Sequence, residues 1–261
     1  MIDEASLLLP GERIDDLQFK ALRIIQSPDA FRFGMDAVLL ADFARVKNGM
    51  RVCDLGTGTG ILPLLLSARA DGLHCDAVEI QPDAADRAAR SVALNGLQHV
   101  VSIHRQDLRR VREFLPHAAY QLVICNPPYS PERAAIPSPD AALRGARHET
   151  HCTLEDIAAA AEWLLRSRAR LCLMLPVARL TDATATLRRH RLELKRLRFV
   201  HGNAARPARL VLMEAMLDVH AGVIVEPPLI VHQPDGTDTD EIRRIYHLPP
   251  RAQEKLSLIH I

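Results

Sequence analysis

One segment limits what this chain can fold into more than any other: Asp54-Leu55-Gly56-Thr57-Gly58-Thr59-Gly60. It joins RVCDLG (51–56), an apolar run of strand length ending in glycine, to GILPLLLSARA (60–70), which reads as a helix. Glycines at such a junction let the backbone turn sharply and let a ligand approach with no Cβ in the way. The alternation then continues. HCDAVEI (74–80), VVSIHR (100–105), QLVICN (121–126) and ARLCLMLP (169–176) read as strands. Helices are expected at 81–96, where Pro82 sits in the first turn and Gly96 stops the run, at 107–115, at 154–168 behind a Thr153 cap, and at 181–190. Such alternation implies a mostly parallel sheet with helices on both faces. Two further strands in succession, LELKRLRFVHG and ARLVLMEAMLDV, predict an antiparallel pair.

Composition narrows the class. Over 261 residues, 48% hydrophobic and 25% charged is ordinary globular composition with ample material for a core. A formal charge of +1 argues against a surface coated in positive charge for indiscriminate DNA binding. No apolar run approaches the ~18 residues that span a bilayer, and Asp3 and Glu4 stand where a secretory signal would carry bases. A cytoplasmic protein is expected. The five cysteines form no CxxC pair, and Cys53, Cys125 and Cys172 lie in apolar runs where they read as small core residues. The 24 residues from Ser130 to Thr153 form a long connection, and loops of that length are usually functional or disordered. His148 and His151 flank Glu149 there, but with no further spaced ligands nearby the expectation is a polar loop and no metal.

In open α/β sheets, ligands sit beyond the carboxyl ends of the strands, where the glycine loop belongs. Glu79 ends the next strand, placed to accept hydrogen bonds from two ribose hydroxyls, which points to a nucleoside-type ligand. A dinucleotide fingerprint would read G-x-G-x-x-G, whereas Gly56-x-Gly58-x-Gly60 runs on into Ile61 and Leu62. That spacing favours S-adenosylmethionine (SAM) over NAD. A second motif, Asn126-Pro127-Pro128-Tyr129, follows the strand QLVIC directly. One reading is a strand stopped by two prolines with Tyr129 packing beside it. The other has a specific chemistry. The Asn126 amide oxygen and the Pro127 carbonyl can hold both hydrogens of a planar NH₂ group, which draws the nitrogen lone pair out of conjugation and aims it at an electrophilic methyl. Tyr129 would supply a stacking face for a planar base.

Together, DLGTGTG, the acid ending the second strand and NPPY resemble the class I SAM-dependent methyltransferases that act on amino or amide nitrogens. Two further stretches narrow the resemblance: Phe31-Arg32-Phe33-Gly34-Met35-Asp36-Ala37-Val38-Leu39-Leu40, and Pro228-Leu229-Ile230-Val231 with Glu241 and Tyr246. They are similar to the bacterial family of tRNA(1)(Val) adenine-37 N6-methyltransferases, over about residues 15–250. The resemblance implies a Rossmann-like class I fold: a mostly parallel seven-stranded sheet with an antiparallel edge strand. It implies SAM as cofactor and tRNA as substrate, with N6-methylation of an anticodon-loop adenine; no obligate protein partner is evident.

Asp54, Gly56 and Gly58 would line the cofactor pocket, Glu79 would hold the ribose, and Asp107 would accept from the adenine amino group of SAM. Asp107 also reads as a plain helix cap, and the two roles are compatible. Phe33 and Asp36 would border the methionine end, and Asn126, Pro127 and Tyr129 would hold the target base. The expected organisation is an N-terminal segment at 1–47, a methyltransferase core at 48–220 and a C-terminal extension at 221–255. Other chemistries stay open. Glutamine N5-methylation of release factors also uses NPPY, although that family usually carries a helical domain before the glycine loop and only about 50 residues precede Asp54 here. Guanine-N2 methylation of rRNA and a non-catalytic SAM-binding module are further alternatives.

Charge is uneven along the chain. Residues 1–42 hold eight acids and four bases, whereas residues 181–210 hold eight bases (Arg188, Arg189, Arg191, Lys195, Arg196, Arg198, Arg206, Arg209) and two acids. A solvated helix face is one reading of this cluster and a phosphate-binding surface the other. The second requires the bases to lie on the same side as NPPY, with Arg206, Arg209 and, in the long loop, Arg144 and Arg147 as candidate RNA contacts. The closing Leu256-Ser257-Leu258-Ile259-His260-Ile261 is what a transposon-end sequencing adapter, CTGTCTCTTATACACATCT, encodes in one frame. Native sequence is expected to run to Lys255 and to continue beyond it in the gene.

Overall fold

A computed structural model describes residues 4–28, 34–127 and 152–249. β1 (Arg13–Asp16) and β2 (Arg23–Gln26) form a separate antiparallel hairpin, followed by α1 (Met35–Phe43). The alternating core then runs β3 (Arg51–Leu55), α2 (Ile61–Ser67), β4 (His74–Glu79), α3 (Pro82–Leu94), β5 (Val101–Arg105), α4 (Val111–Phe114) and β6 (Tyr120–Cys125). It continues through α5 (Leu154–Leu164), β7 (Leu165–Pro176), α6 (Leu180–Arg189), β8 (Leu192–Asn203) and β9 (Leu210–Leu217). β10 (Ile224–Val225), β11 (Leu229–His232) and α7 (Asp240–Ile245) complete it. The nine-stranded sheet has the order β10-β8-β9-β7-β6-β3-β4-β5, with β11 also beside β8. Among the described residues, no helix is long and apolar enough to cross a membrane.

The sheet is mostly parallel as expected, with two differences of detail. Its strands number nine rather than seven, because β10 and β11 add parallel to β8. The antiparallel strand, β9, is not at the edge: the β8–β9 hairpin folds it back between β7 and β8, and it pairs antiparallel with both. Helix boundaries also move. The helix expected over 154–168 stops at Leu164, because Leu165 already pairs with Tyr120 of β6. The ladder slips before Leu122 meets Arg170, and Arg168 takes up the slack at φ +63°. Helix propensity in this segment yields to strand pairing. The helix expected over 107–115 is instead a 3₁₀ turn, Leu108–Arg110, leading into the single turn of α4.

Period-two alternation along the strands feeds a core on each face. Val52, Leu122, Ile124, Cys172 and Met174 pack with α1, α2, α3 and α7. Cys53, Leu55, Val123, Cys125 and Leu173 pack with α4, α5 and α6 on the other face. Cys53, Cys125 and Cys172 are buried, in keeping with their reading as core residues. The N-terminal hairpin is fastened to α3: the Ile25 N–H donates to Ser91 Oγ (3.0 Å), and Asn95 receives the Arg23 N–H and donates to its carbonyl. Just before β1, Glu12 meets Arg87 Nε at 3.0 Å and Arg90 in a two-pronged ion pair. The Arg90 hydrogen bonds draw the Glu12 carboxyl down from 4.5 to about 2 against its burial.

A depressed carboxyl pKa contributes stability that is complete above the ordinary value and is lost as pH falls toward the folded one. Glu12→Gln is therefore expected to destabilise the protein by about 3 kcal/mol at neutral pH and to remove that much of the acid transition between about pH 5 and pH 2. Urea unfolding of both proteins across this range checks it, and parallel stability–pH curves would contradict it.

Candidate active site

β4 and β5 extend the sheet on one side of β3, while β6 and β7 extend it on the other. The strand order thus reverses between β3 and β6, and the carboxyl ends flanking such a switch point form the natural crevice for a ligand. The loop 56–60 leaves β3 there, and Asn126-Pro127 leaves β6 beside it. One strand further out stands Glu79, at the end of β4, and beyond it Asp107, just past β5.

The glycine loop is held from behind. Both the Gly56 and Thr57 N–H groups donate to the Val78 carbonyl (2.9 and 3.0 Å), and the Gly60 N–H closes back onto Thr57 O at 3.0 Å. Gly60 lies at φ +84°, and a Cβ there would come within 3.3 Å of the Ala88 Cβ on α3, so both conformation and space require glycine. At Gly58 a Cβ would meet nothing within 4 Å, so the space beside the loop is open there. Glu79 is buried, and its two oxygens accept from the Gly58 and Gln81 N–H groups, each at 2.8 Å. The side chain expected to meet ribose hydroxyls thus also pins the loop. Each carboxylate oxygen keeps a further lone pair, so the two roles can coexist.

Asp54 is fully buried, and neither of its carboxylate oxygens has a hydrogen-bond partner among the described residues. Burial pushes its pKa up from 3.8 to about 7; the nearby Thr57 hydroxyl opposes this and the Glu79 carboxylate adds to it. A buried, unpartnered acid is costly to keep ionised unless a counter-charge arrives. That is the chemistry expected of a pocket that receives a cationic ligand. Thr57, whose own buried hydroxyl lies near this carboxylate but meets no partner within hydrogen-bond geometry among the described residues, carries no motif of its own in the sequence. Its place between two glycines, one turn from the acid, was the only available signal.

Asp107 caps the 3₁₀ turn through the Arg109 N–H (2.9 Å), and both its oxygens are engaged by the Arg109 guanidinium. Those hydrogen bonds lower its pKa. The Gln106 N–H donates to the Glu79 carbonyl at 3.0 Å, which sets this turn against the end of β4. Asn126 and Pro127 are half-buried at the end of β6. Asp36 is half-buried in the first turn of α1, and its carboxylate adds to the burial and Asp238 effects that raise the Tyr246 phenol to about 12. Phe33, Tyr129, Arg144, Arg147, His148, Glu149 and His151 lie outside the described residues. No group of metal-binding side chains is found among those described.

The basic segment divides in two. Arg188, Arg189 and Arg191 sit where α6 meets the start of β8, at the amino ends of the strands, and pair with Glu193, Glu155 and Glu162. Arg196 is buried between Glu214 (2.9 Å) and Glu226 (3.2 Å), and Arg198 reaches Glu241 at 2.8 Å. Lys195 donates to the His220 carbonyl. Arg206 and Arg209, by contrast, are exposed and have no ion-pair partner among the described residues. They lie in the β8–β9 hairpin at the carboxyl edge, where the Val177 N–H, just past β7, donates to the Arg209 carbonyl at 3.0 Å. Of the eight bases, only these two both share the edge of Asn126 and have no ion-pair partner among the described residues.

A family model, the methyltransferase small domain, matches residues 18–173. The tRNA1(Val) (adenine(37)-N6)-methyltransferase of Tolumonas auensis is 35% identical over 160 residues, which span 61% of this chain and 65% of that protein, just under two thirds of its length. The protein of the same name from Serratia proteamaculans is 31% identical over 232 residues, covering 87% of this chain and 86% of that one. A solved structure described as a predicted O-methyltransferase, from Agrobacterium tumefaciens, has the same fold, with a TM-score of 0.67 at 22% identity over 82% of this chain and 96% of that one. Similarity to the Serratia protein along most of both chains, on a methyltransferase small-domain core, means that the chain belongs to the family of tRNA1(Val) (adenine(37)-N6)-methyltransferases.

Proposed function

We propose that the chain transfers a methyl group from S-adenosylmethionine to the exocyclic N6 of an adenine in tRNA, with adenine 37 of the anticodon loop as the target. The observation that carries this reading is the meeting of two strand ends: the glycine loop after β3 and Asn126-Pro127 after β6, on neighbouring strands across the switch point. SAM supplies an electrophilic methyl carried on a sulfonium. The chain supplies position. Asp54 offers negative charge beneath the loop, Gly56 and Gly58 let the ligand lie against the backbone, Glu79 takes the ribose, and Asp107 takes the adenine of the cofactor. Phe33 and Asp36 border its methionine end. Asn126 and the Pro127 carbonyl hold the two hydrogens of the target amine, and Tyr129 stacks on the base. In-line positioning provides most of the acceleration, and no general base is needed.

Residues 48–220 form the catalytic core in this reading, with 1–47 bordering the pocket and 221–255 a C-terminal extension packed on the core. Arg206 and Arg209, with Arg144 and Arg147, contact the RNA backbone, and the protein acts in the cytoplasm. Incubation with labelled SAM and unmodified total tRNA should yield labelled N6-methyladenosine. Label in release factor and none in RNA would overturn the reading.

Asn126→Ala should abolish turnover while leaving SAM affinity close to wild type; titration calorimetry beside a single-turnover assay separates the two, and a matching loss of SAM binding would remove Asn126 from the target-base site. Asp54 makes a different demand. Its raised carboxyl pKa means that the unfolded chain releases this proton first, so stability of the ligand-free protein falls as pH rises from the ordinary carboxylate range to about 7. Asp54→Asn should therefore raise the Tm of the ligand-free protein at pH 8 while weakening SAM by about tenfold or more. Wild-type SAM affinity should climb as pH passes about 7, where the carboxylate becomes charged, and a flat profile would count against Asp54 as the counter-charge.

A further inference from the structure

We propose that Arg179 is a phosphate contact of the substrate RNA and that, with Arg206 and Arg209, it brings the RNA backbone to Asn126 from the β7–β9 side of the sheet; this rests on the RNA-methylation reading above. Arg179 closes the 3₁₀ turn Val177–Arg179, which directly follows β7 at the carboxyl edge. It is exposed and has no ion-pair partner among the described residues. The turn is fixed at its start: the Val177 N–H donates to the Arg209 carbonyl at 3.0 Å, and the Arg209 N–H donates to the Val200 carbonyl of β8 at 3.1 Å. The Arg209 backbone is thereby held between the ends of β7 and β8. Arg179 follows two residues after Val177, at most about 7 Å of chain. Val177 and Leu180 pack against the core on the α6 face, which anchors the turn from within while Arg179 stays at the surface.

Position along the edge gives Arg179 its role. β7 lies next to β6, with Leu173 in register with Cys125, the residue before Asn126. The turn that carries Arg179 therefore leaves a strand one spacing, roughly 5 Å, from β6, whereas β9 lies at two. On the other side of β6, the next two strands, β3 and β4, carry the buried acids Asp54 and Glu79 near their carboxyl ends. Asn126 thus stands where the sign of the charge along the edge changes. The acids suit a cationic cofactor, and the arginines suit a polyanion. A base that leaves its stack to reach Asn126 keeps its own phosphates within a nucleotide's length of the pocket. The backbone must then rest on a surface that adjoins Asn126 and that the cofactor does not occupy, and the turn after β7 meets both conditions. The same strand begins at the opposite edge with another exposed arginine, Arg166, next to Leu165, which pairs with Tyr120 at the start of β6. Arg166 also has no ion-pair partner among the described residues, so the two ends of β7 carry the same charge and differ in position.

The test compares wild type with Arg179→Ala, Arg179→Lys and Arg166→Ala, using unmodified tRNA over a range of salt concentrations. Each phosphate contact to a single strand contributes about 0.7 to the slope of log affinity against log salt. Arg179→Ala should lower the slope by about that much and weaken tRNA binding about tenfold at low salt, with SAM affinity and Tm at wild-type values. Arg179→Lys should recover most of the loss, because a point charge serves a phosphate, and Arg166→Ala should bind tRNA as wild type does. An unchanged slope and affinity in Arg179→Ala would overturn the proposal. So would an equal loss in Arg166→Ala, which would report net charge and not position, or a fall in Tm and SAM affinity alongside tRNA, which would make Arg179 a structural residue. If wild-type protein neither binds nor methylates tRNA, the functional reading itself has failed and this contact falls with it.

Discussion

Parallel pairing of β3 with both β4 and β6 is the constraint from which the rest of the molecule follows. Because all three strands point the same way, their following loops must emerge side by side. Each return to the next strand must also cross a face of the sheet, which is where the helices come from. The chain steps outward from β3 to β5, then jumps back past its starting point to β6. That jump brings residues some seventy positions apart, Gly56 and Asn126, to adjacent strand ends. It also leaves the ends of β4 and β5 with their acids on one side of the crevice, and the β8–β9 hairpin with Arg206 and Arg209 on the other. The site is a by-product of topology before it is a product of side chains.

Much of this was legible in the sequence because its signals are local. Short apolar runs, the glycine cluster and Pro82 each act within a turn or a strand, and their elements appear within a few residues of where periodicity puts them. What was illegible depends on partners distant in sequence. The end of α5 at Leu164 is decided by Tyr120, a strand and a long loop away. The interior position of β9 depends on which gap the hairpin enters, which alternation cannot specify. The glycine cluster marks Asp54 as a pocket residue, but that its carboxylate oxygens find no hydrogen-bond partner among the described residues emerges only when its neighbours are placed. The position of Glu79 at a strand end points to a ligand residue, yet its grip on Gly58 is invisible to spacing.

The basic segment illustrates the difference between composition and display. Eight bases in one stretch look like a nucleic-acid surface, but most are answered by carboxylates or carbonyls within the fold. Arg196 is more consequential inside than it could be outside. Held by Glu214 and Glu226, donating to the Phe43 carbonyl and lying 3.6 Å over the Phe43 ring, it ties β8, β9, α1 and the segment leading into β11 into one block. Removing one member of such a buried group leaves the others uncompensated, so these residues act as a unit. The charges left for a partner are the few that topology leaves unpaired.

The close approach of Gly60 to Ala88 has a consequence that reaches the other end of the chain. Ala88 lies on α3 between Arg87 and Arg90, the residues that hold Glu12, and the same helix carries Ser91 and Asn95, which hold β2. The loop that shapes the cofactor pocket therefore rests on a helix whose outer side is strapped by the first strands of the protein. A larger side chain at Ala88 would push on the loop from behind and, through α3, on the hairpin as well. The loop, α3 and the hairpin are thus mechanically coupled although they share no functional residue.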